Sequence, residues 1–311
     1  MTNTLAIVFP GQGSQSVGML TELCQQYDIV KHTFAEASAA LGYDLWALVS
    51  QGPEAELNET HRTQPALLTA SVAVWRLWQQ QGGATPAYFA GHSLGEYSAL
   101  VCAGVLSLAD AVKLVEKRGN YMQQAVPAGV GAMSAIIGLD DDAIALACQQ
   151  AAQGEVVSPV NYNSPGQVVI AGHKAAVERA GELCKAAGAK RALPLPVSVP
   201  SHCALMRPAA EQLAVDLTAL NFNPAVIPVV NNVDVTIATD AAAIKDALER
   251  QLYSPVQWTK TIEWLAAQGV TQVIELGAGK VLSGLIKRID KNLSSTSVGD
   301  AASLQAALAA E

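Results

Sequence analysis

A chain of 311 residues, half of them hydrophobic and only 15% charged, can bury a large core, which excludes an intrinsically disordered protein. Its formal net charge of −8 argues against nucleic acids or membrane surfaces as partners, because both require many lysines and arginines. No apolar run reaches the roughly 20 residues of a membrane-spanning helix. With five scattered cysteines and no signal-peptide pattern at the start, these features predict a cytoplasmic protein without disulfides.

Short apolar runs followed by glycine-containing turns predict a parallel sheet. Three such runs, at residues 5–9, 88–90 and 270–276, have the length and composition of buried strands. In an open α/β sheet, ligands bind beyond the carboxyl ends of the strands. We therefore expect the functional residues at the turns that follow these runs.

The middle of the chain has a different pattern. It predicts a strand at 133–139, a helix at 140–152 capped by Asp140, strands at 156–162 and 167–171, a helix at 174–187 and a strand at 192–197. This β-α-β-β-α-β order is that of the ferredoxin-like motif. We therefore predict a ferredoxin-like α+β subdomain at 128–198, inserted into a mainly parallel α/β core formed by 1–127 and 199–311. In the alternative, these elements extend the main sheet.

The segment 91–95, GHSLG, fits the G-x-S-x-G motif, in which a serine nucleophile sits on a sharp turn between a strand and a helix. An apolar strand precedes it, and a helix-compatible segment follows. The glycines let neighbouring backbone approach closely, and the helix N-terminus favours a developing oxyanion. Ser93 is therefore a candidate nucleophile. The alternative is an ordinary glycine turn.

A serine hydroxyl needs a base within hydrogen-bond reach before it can act as a nucleophile. Three of the five histidines fall in segments typical of solvated or turn residues: His32 in a polar helix, His61 in a loop and His173 at a strand end. His92 adjoins Ser93, but neighbouring side chains diverge at a sharp turn. His202 remains, in a proline-led loop where the chain re-enters the core. It is the candidate base, with a structural histidine as the alternative.

Two further features concern charge on a bound ligand. The turn at 10–15 follows the first strand and can point backbone N–H groups into the same cleft as oxyanion donors. Neither this turn nor 277–280 fits the phosphate-binding pattern G-x-x-x-x-G-K-[ST]. A helix that starts near Ser107 places Arg118 on its apolar stripe, where its planar fork suits a carboxylate. The alternative for Arg118 is a structural salt bridge.

These motifs together resemble the malonyl-CoA:acyl carrier protein transacylase family over nearly the whole chain. The matching segments are 9–15, 91–96, 117–119, 161–167, 199–202, 251–252 and 255–258. The resemblance implies an α/β hydrolase-like core with a ferredoxin-like insertion. It implies an acyltransferase of fatty acid synthesis that moves a malonyl group from malonyl-CoA to the phosphopantetheine thiol of acyl carrier protein. It also implies no metal and no cofactor, since the coenzyme A thioester is a substrate.

The resemblance assigns roles to the matching residues. Ser93 would be the nucleophile that carries the malonyl group, and His202 would be its base. Arg118 would anchor the malonyl carboxylate. The backbone carbonyl of Gln251 would orient His202, in place of the carboxylate of a serine-protease triad.

The resemblance also implies an oxyanion hole formed by the backbone N–H groups of Gln12 and Leu94, and a cleft lined by Asn163 and His92. Two other functions stay open at this point: a thioesterase, in which water resolves the acyl-serine, and a catalytically silent module that docks acyl carrier protein. Both proposed substrates are anionic, so docking needs a local basic patch. The candidates are Lys190, Arg191, Arg207, Lys280, Lys287 and Arg288.

Overall fold

The computed structural model describes residues 4–197 and 199–310. Residue 198, the predicted end of the insertion, lies outside them, as do 1–3 and 311. The described strands are β1 Leu5–Phe9, β2 Tyr88–Gly91, β3 Gly131–Ile137, β4 Val157–Ser164, β5 Gln167–His173, β6 Arg191–Pro194, β7 Val229–Val230, β8 Gln272–Leu276 and β9 Ser294–Val298. They form two sheets, of five and four strands.

Helices cover both sheets. They are α1 Thr21–Gln26, α2 Asp28–Leu41, α3 Leu45–Gln51, α4 Glu54–Leu57, α5 Thr60–Gln80, α6 Leu94–Cys102, α7 Leu108–Gln124, α8 Asp141–Ala152, α9 Lys174–Ala186, α10 Arg207–Ala219, α11 Ala241–Gln251, α12 Trp258–Ala267, α13 Val281–Ile289 and α14 Ala301–Ala309, with a 3₁₀ helix at Ala204–Met206. In the part of the chain that the structure describes, none of them is long and apolar enough to cross a bilayer.

The five-stranded sheet has the order β7-β2-β1-β8-β9, and all its adjacent strands are parallel. Every residue of β1 is buried, as expected for a central parallel strand covered by helices on both faces. The prediction of β1 is confirmed to the residue, and those of β2 and β8 to within two residues. Phe9 pairs with Gly91, so β1 and β2 end side by side. The glycine turns therefore meet at one edge of the sheet.

The four-stranded sheet has the order β4-β5-β3-β6, and its adjacent strands are antiparallel. The chain runs β3-α8-β4-β5-α9-β6, which confirms the predicted order of elements. The alternative that these elements extend the main sheet is wrong, because they form a sheet of their own. Both helices pack on one face of it, over a core that includes Ile136 and Ile170. The domain boundaries at 127/128 and 198/199 stay a prediction.

The helices confirm some of the predictions made from the sequence and contradict others. Ser107 caps α7 by accepting a hydrogen bond from the Asp110 backbone N–H at 3.0 Å, and Arg118 lies on the buried face of that helix, as predicted. Asp140 stands at the N-cap of α8, but its side chain makes no capping hydrogen bond. The prediction of a loop around His61 was wrong, because this residue lies in the first turn of α5.

Candidate active site

A cavity of about 470 Å³ lies between the carboxyl edge of the parallel sheet and the four-stranded sheet. All the candidate site residues except Gln251 line it: Gln12, His92, Ser93, Leu94, Arg118, Asn163 and His202. Gln251 is fully buried at the end of α11. The structure therefore brings together residues that are far apart in the sequence.

Ser93 occupies the sharp turn between β2 and α6, with φ 52° and ψ −109°. A non-glycine residue rarely adopts this strained conformation, so surrounding contacts must hold it. A Cβ on Gly91 would lie 1.9 Å from the Gly95 backbone, and one on Gly95 would lie 2.1 Å from the Phe9 carbonyl oxygen. Both positions require glycine because backbone lies directly against them: the start of α6 lies against Gly91, and the end of β1 lies against Gly95.

His202 lies directly against Ser93, with 2.8 Å between His202 Nε2 and Ser93 Oγ. On its other side, His202 Nδ1 is 2.7 Å from the Gln251 carbonyl oxygen. Because a carbonyl oxygen can only accept, Nδ1 carries the proton, and Nε2 presents its lone pair to the Ser93 hydroxyl. Burial, helped by the Arg118 charge, lowers the pKa of His202 to about 3. The ring is therefore neutral and able to accept a proton at neutral pH.

The turn after β1 presses against the turn that carries Ser93. A Cβ on Gly11 would lie 2.4 Å from the His92 carbonyl oxygen, which brings the following residue, Gln12, beside Ser93. Leu94 is the first residue of α6, where backbone N–H groups have no partner within the helix. In the described ranges, neither the Gln12 nor the Leu94 backbone N–H makes a hydrogen bond. Two donors are thus free to face an oxyanion.

Arg118 is buried, with 1% of its surface exposed. Its Nη1 donates to Gln64 Oε1 at 2.8 Å, and its Nη2 donates to Gln251 Oε1 at 3.0 Å and to Ser93 Oγ at 3.3 Å. The guanidinium carbon also lies 5.3 Å from the centre of the Tyr97 ring. Within residues 4–197 and 199–310, no carboxylate lies within 4.0 Å of it.

The charge of Arg118 is held without a carboxylate partner among the described residues. Its terminal nitrogens bond neutral amide oxygens, since buried donors need partners. Its Nε remains a buried donor without a partner among the described residues. Burial also lowers the pKa of Arg118 from its usual value. Arg118 is thus a positive charge at the cavity with polar but uncharged neighbours.

His92 and Asn163 connect the two sheets. His92 Nε2 donates to Asn163 Oδ1 at 2.7 Å, and its ring packs against Trp258 at 5.5 Å between centroids. Burial lowers the pKa of His92. The side chain thus turns toward the four-stranded sheet while Ser93 turns toward His202, as expected for neighbours on a sharp turn. Asn163 is the candidate residue supplied by β4.

Sequence reasoning missed three members of the site. Gln64 supports Arg118 from α5, and Asn232 Oδ1 accepts from the Ser93 backbone N–H at 2.7 Å. Glu96, noted only as part of a motif, accepts from Gln251 Nε2 at 2.8 Å. Two of these had a sequence signal. Gln64 begins a largely apolar helical run, and Asn232 follows an apolar strand at its carboxyl end.

A neutral histidine against a strained serine, beside two free backbone donors, is the arrangement of enzymes that transfer acyl groups through a serine. The comparisons with known proteins agree. The family model "Acyl transferase domain" matches residues 6–304. The chain therefore belongs to the acyl transferase family and, within it, to the malonyl CoA-acyl carrier protein transacylases, as its relatives show.

The relatives match over nearly their whole length. The malonyl CoA-acyl carrier protein transacylase of Salmonella typhimurium is 71% identical over 97% of this chain and 98% of its own. That of Bacillus subtilis is 48% identical over 98% of this chain and 96% of its own. A malonyl-transacylase solved in complex with a type II PKS acyl-carrier protein is 63% identical, with a TM-score of 0.98 over 99% of this chain and 100% of that one.

A crystal structure of an acyl carrier protein S-malonyltransferase from Vibrio cholerae is similar in sequence and in fold. It is 70% identical, with a TM-score of 0.96 over 98% of this chain and 99% of that one. Identity this high over nearly the whole of both chains covers both sheets and the cavity between them. The similarity therefore concerns the whole molecule, including its four-stranded sheet.

Proposed function

We propose that the protein transfers the malonyl group from malonyl-CoA to the phosphopantetheine thiol of acyl carrier protein through a malonyl-serine at Ser93, supplying the extender unit for fatty acid synthesis. One observation carries the chemistry. Ser93 Oγ lies 2.8 Å from a neutral buried histidine nitrogen and 3.3 Å from the Arg118 guanidinium. The site thus offers both a base for the hydroxyl and a cation for a carboxylate on the acyl group.

In the first half-reaction, His202 Nε2 takes the proton of Ser93 as Oγ attacks the thioester carbonyl of malonyl-CoA. The backbone N–H groups of Gln12 and Leu94 stabilise the oxyanion. The Gln251 carbonyl oxygen accepts from Nδ1 and stabilises the imidazolium that forms. When the tetrahedral intermediate collapses, the carbon–sulfur bond breaks, and His202 returns the proton to the coenzyme A thiolate.

The second half-reaction runs the same steps in reverse. The phosphopantetheine thiol gives its proton to His202 and attacks the malonyl ester, and Ser93 regains its proton when the carbon–oxygen bond breaks. Such double displacement gives ping-pong kinetics. Water in place of the thiol would make the protein a thioesterase, so the ratio of transfer to hydrolysis distinguishes the two functions.

The anchor role of Arg118 follows from its position. An acyl group on Ser93 Oγ that ends in a carboxylate two carbons away can reach the adjacent guanidinium, whereas an acetyl group cannot engage it. The present partners of Arg118 are neutral amide oxygens, so a carboxylate is the stronger acceptor for its donors. We therefore assign malonyl selectivity to this residue.

The test is a competition for the serine. The protein is mixed with equimolar malonyl-CoA and acetyl-CoA, quenched within seconds and mapped by mass spectrometry. We expect a malonyl adduct on Ser93 and none in the Ser93→Ala variant. In Arg118→Ala, the preference for malonyl should fall by about 10²-fold, since a charge-assisted bidentate pair is worth roughly 3 kcal/mol.

Each other outcome contradicts part of the proposal. A dominant acetyl adduct would remove the anchor role of Arg118. Coenzyme A release without an adduct, unchanged by acyl carrier protein, would indicate hydrolysis. Carrier binding with neither adduct nor release would indicate a docking module.

Carrier docking has candidate residues on both sheets. Lys190 and Arg191 stand at the start of β6, and Lys287 and Arg288 lie in the last turn of α13. Arg288 Nη1 donates to Gln167 Oε1 at 2.7 Å, which joins α13 to β5. A basic patch across this junction would attract an acidic carrier. The expectations of a cytoplasmic location and of chemistry without a metal or cofactor remain part of the proposal.

A further inference from the structure

Glu96 belongs to a buried network behind the cavity. It lies in the first turn of α6 with 2% of its surface exposed. Its Oε2 accepts hydrogen bonds from Gln251 Nε2 at 2.8 Å and from the Asn232 backbone N–H at 3.0 Å. The other end of the same amide, Gln251 Oε1, accepts from Arg118 Nη2 at 3.0 Å. One side-chain amide thus connects a buried carboxyl group to a buried guanidinium.

Both groups can carry a charge, and both are buried. Neither Glu96 nor Arg118 forms a salt bridge within the described residues, although both are almost fully buried. An isolated charge in a protein interior is costly unless an opposite charge compensates for it. The Gln251 amide is oriented correctly for this, with its oxygen toward the cation and its N–H toward the carboxylate. The attraction between the two charges acts on the pKa of each.

We propose that Glu96 is the counter-charge of Arg118 in the free enzyme and that it takes up one proton from solvent when the malonyl carboxylate binds Arg118. This inference rests on the anchor role in the proposed function. Two carboxylates would then share one guanidinium, and like charges in a dry site do not both remain ionised. The malonyl group holds the direct contact with Arg118, so Glu96 is the one to be neutralised.

A protonated Glu96 keeps its place in the network. Its Oε2 can still accept from Gln251 and Asn232, so Gln251 and therefore His202 stay oriented. A small cavity of about 10 Å³ touches Glu96, with Leu100 and Asn231 also in its lining. This is close to the least volume that holds a single water molecule, and a water bound there would accept a hydrogen bond from the protonated carboxyl group.

The surroundings of Glu96 make it the group whose protonation changes when the malonyl carboxylate binds. Burial raises its pKa to about 7, against the hydrogen bonds from Asn232 and Gln251 and the charge of Arg118 on α7. Asp234, after β7, raises it as well, but its own pKa is lowered by Arg250 of α11 at 2.7 Å, so Asp234 stays ionised. His202, with a pKa of about 3, stays neutral.

Tyr97, the neighbour of Glu96 on α6, also stays neutral, because burial raises its pKa to about 12. Burial also lowers the pKa of His92 from its usual value, which favours the neutral ring. The group of the network with a pKa near neutral is therefore the carboxyl group of Glu96. Any proton taken up there on malonyl binding is expected at this residue.

Calorimetry can count the proton. Malonyl-pantetheine, which has no phosphate that titrates near neutral pH, is bound to the Ser93→Ala protein at about pH 8 in two buffers of different ionisation enthalpy. We expect uptake of about 0.5 to 1 proton per malonyl group, because Glu96 is mostly ionised before binding. In the same background, Glu96→Gln should bind malonyl-pantetheine without uptake, since the amide keeps an acceptor oxygen but carries no charge.

Two controls separate the carboxylate from other causes. Acetyl-pantetheine carries no carboxylate to share Arg118 with Glu96 and should bind without proton uptake. Asp216→Asn removes a carboxylate that pairs with Lys117, the neighbour of Arg118, at 2.6 Å on the helix surface. It should leave the uptake unchanged. Malonyl binding without uptake in the Ser93→Ala protein would overturn the inference while leaving the proposed function intact.

A kinetic readout covers the case in which binding to the Ser93→Ala protein is too weak to measure. In the wild type, kcat/KM for malonyl-pantetheine should fall about tenfold per pH unit above pH ~7, because binding then requires proton uptake. The Glu96→Gln profile should stay flat there. Superimposed profiles would overturn the inference, whereas a wild type that transfers no malonyl group at any pH would instead refute the proposed function.

Discussion

The two sheets of the molecule contribute to the site in different ways. The carboxyl ends of all the strands of the parallel sheet lie at one edge. The turns after β1, β2 and β7 bring Gln12, Ser93 and Asn232 together there. Strands of the antiparallel sheet alternate in direction, so their ends do not converge. This sheet supplies a wall of the cavity, with Asn163 as its polar contact to the turn of Ser93. The parallel sheet thus places reactive groups, and the antiparallel sheet shapes the space beside them.

Glycines in both sheets meet neighbouring backbone closely, whereas a helix that covers the second sheet has room at its glycine. Around Ser93, Gly91 and Gly95 leave no room for a single added carbon, and in β5 a Cβ on Gly172 would lie 2.0 Å from the Val156 carbonyl oxygen. By contrast, Gly181 of α9 faces only the Cβ of Ala192, at an ordinary contact distance of 3.5 Å. Substitution should therefore have a large effect at the turn of the strained nucleophile and a small one in this helix.

The largest effect is expected for His202→Ala, at the edge of the parallel sheet. The kcat for malonyl transfer should fall by about 10⁴-fold or more, because the serine loses the base that lies 2.8 Å from its hydroxyl oxygen. Rapid-quench assays of malonyl-Ser93 formation measure this effect, and the melting temperature serves as the folding control. The double variant Ser93→Ala, His202→Ala should lose little more than either single one. A loss below about tenfold for His202→Ala would mean that another group acts as the base.

The second prediction compares one added methyl group in each region. Gly95→Ala should destabilise the fold by about 3 kcal/mol or more, because the Cβ would lie 2.1 Å from the Phe9 carbonyl oxygen. Gly181→Ala, in the middle of α9, should be neutral or stabilising by up to about 1 kcal/mol, since alanine favours helix and the added carbon meets only the Cβ of Ala192 at 3.5 Å. Denaturant unfolding of both variants tests the contrast. Equal effects would show that the surroundings of Gly95 can make room for the added carbon.

Much of this architecture was predictable because it depends on local pattern. The apolar run at 5–9 specified β1, the glycines around Ser93 specified the turn, and helix phase placed Arg118 inside. The β-α-β-β-α-β order specified the second sheet. Each of these signals lies within a few residues of the feature that it predicts.

The rest of the site depends on long-range pairing, which local pattern does not contain. His202 and Gln251 are 49 positions apart, and their contact was expected only through the resemblance to a family. The partners of Arg118 were missed because an amide such as Gln64 looks the same in sequence whether it faces solvent or a buried guanidinium. The error at His61 has a similar cause, since nearby polar residues indicated a loop while packing of α5 against α7 holds it in a helix.

The smallest effect is expected in the dependence of kcat/KM on pH. It follows from the burial of His202 at the edge of the parallel sheet. Since the pKa of His202 is lowered from 6.5 to about 3, the base stays neutral in the free enzyme, and kcat/KM for malonyl transfer should be flat between about pH 5 and 7. An acid limb near pH 6.5 would show instead that His202 is solvated.

Stability should nevertheless change over the same range, in two opposing ways. The unfolded chain protonates His202 below about pH 6.5 and the folded chain does not, so this residue removes stability as pH falls toward 3. Glu96 has the opposite effect. Its pKa is about 7 in the folded protein and 4.5 in the unfolded chain, so its destabilising effect disappears as pH falls from 7 to 4.5. Melting curves of Glu96→Gln should therefore lack this compensating gain and show a steeper decline toward acid than the wild type. Parallel curves would mean that the pKa of Glu96 in the folded protein is close to its usual value.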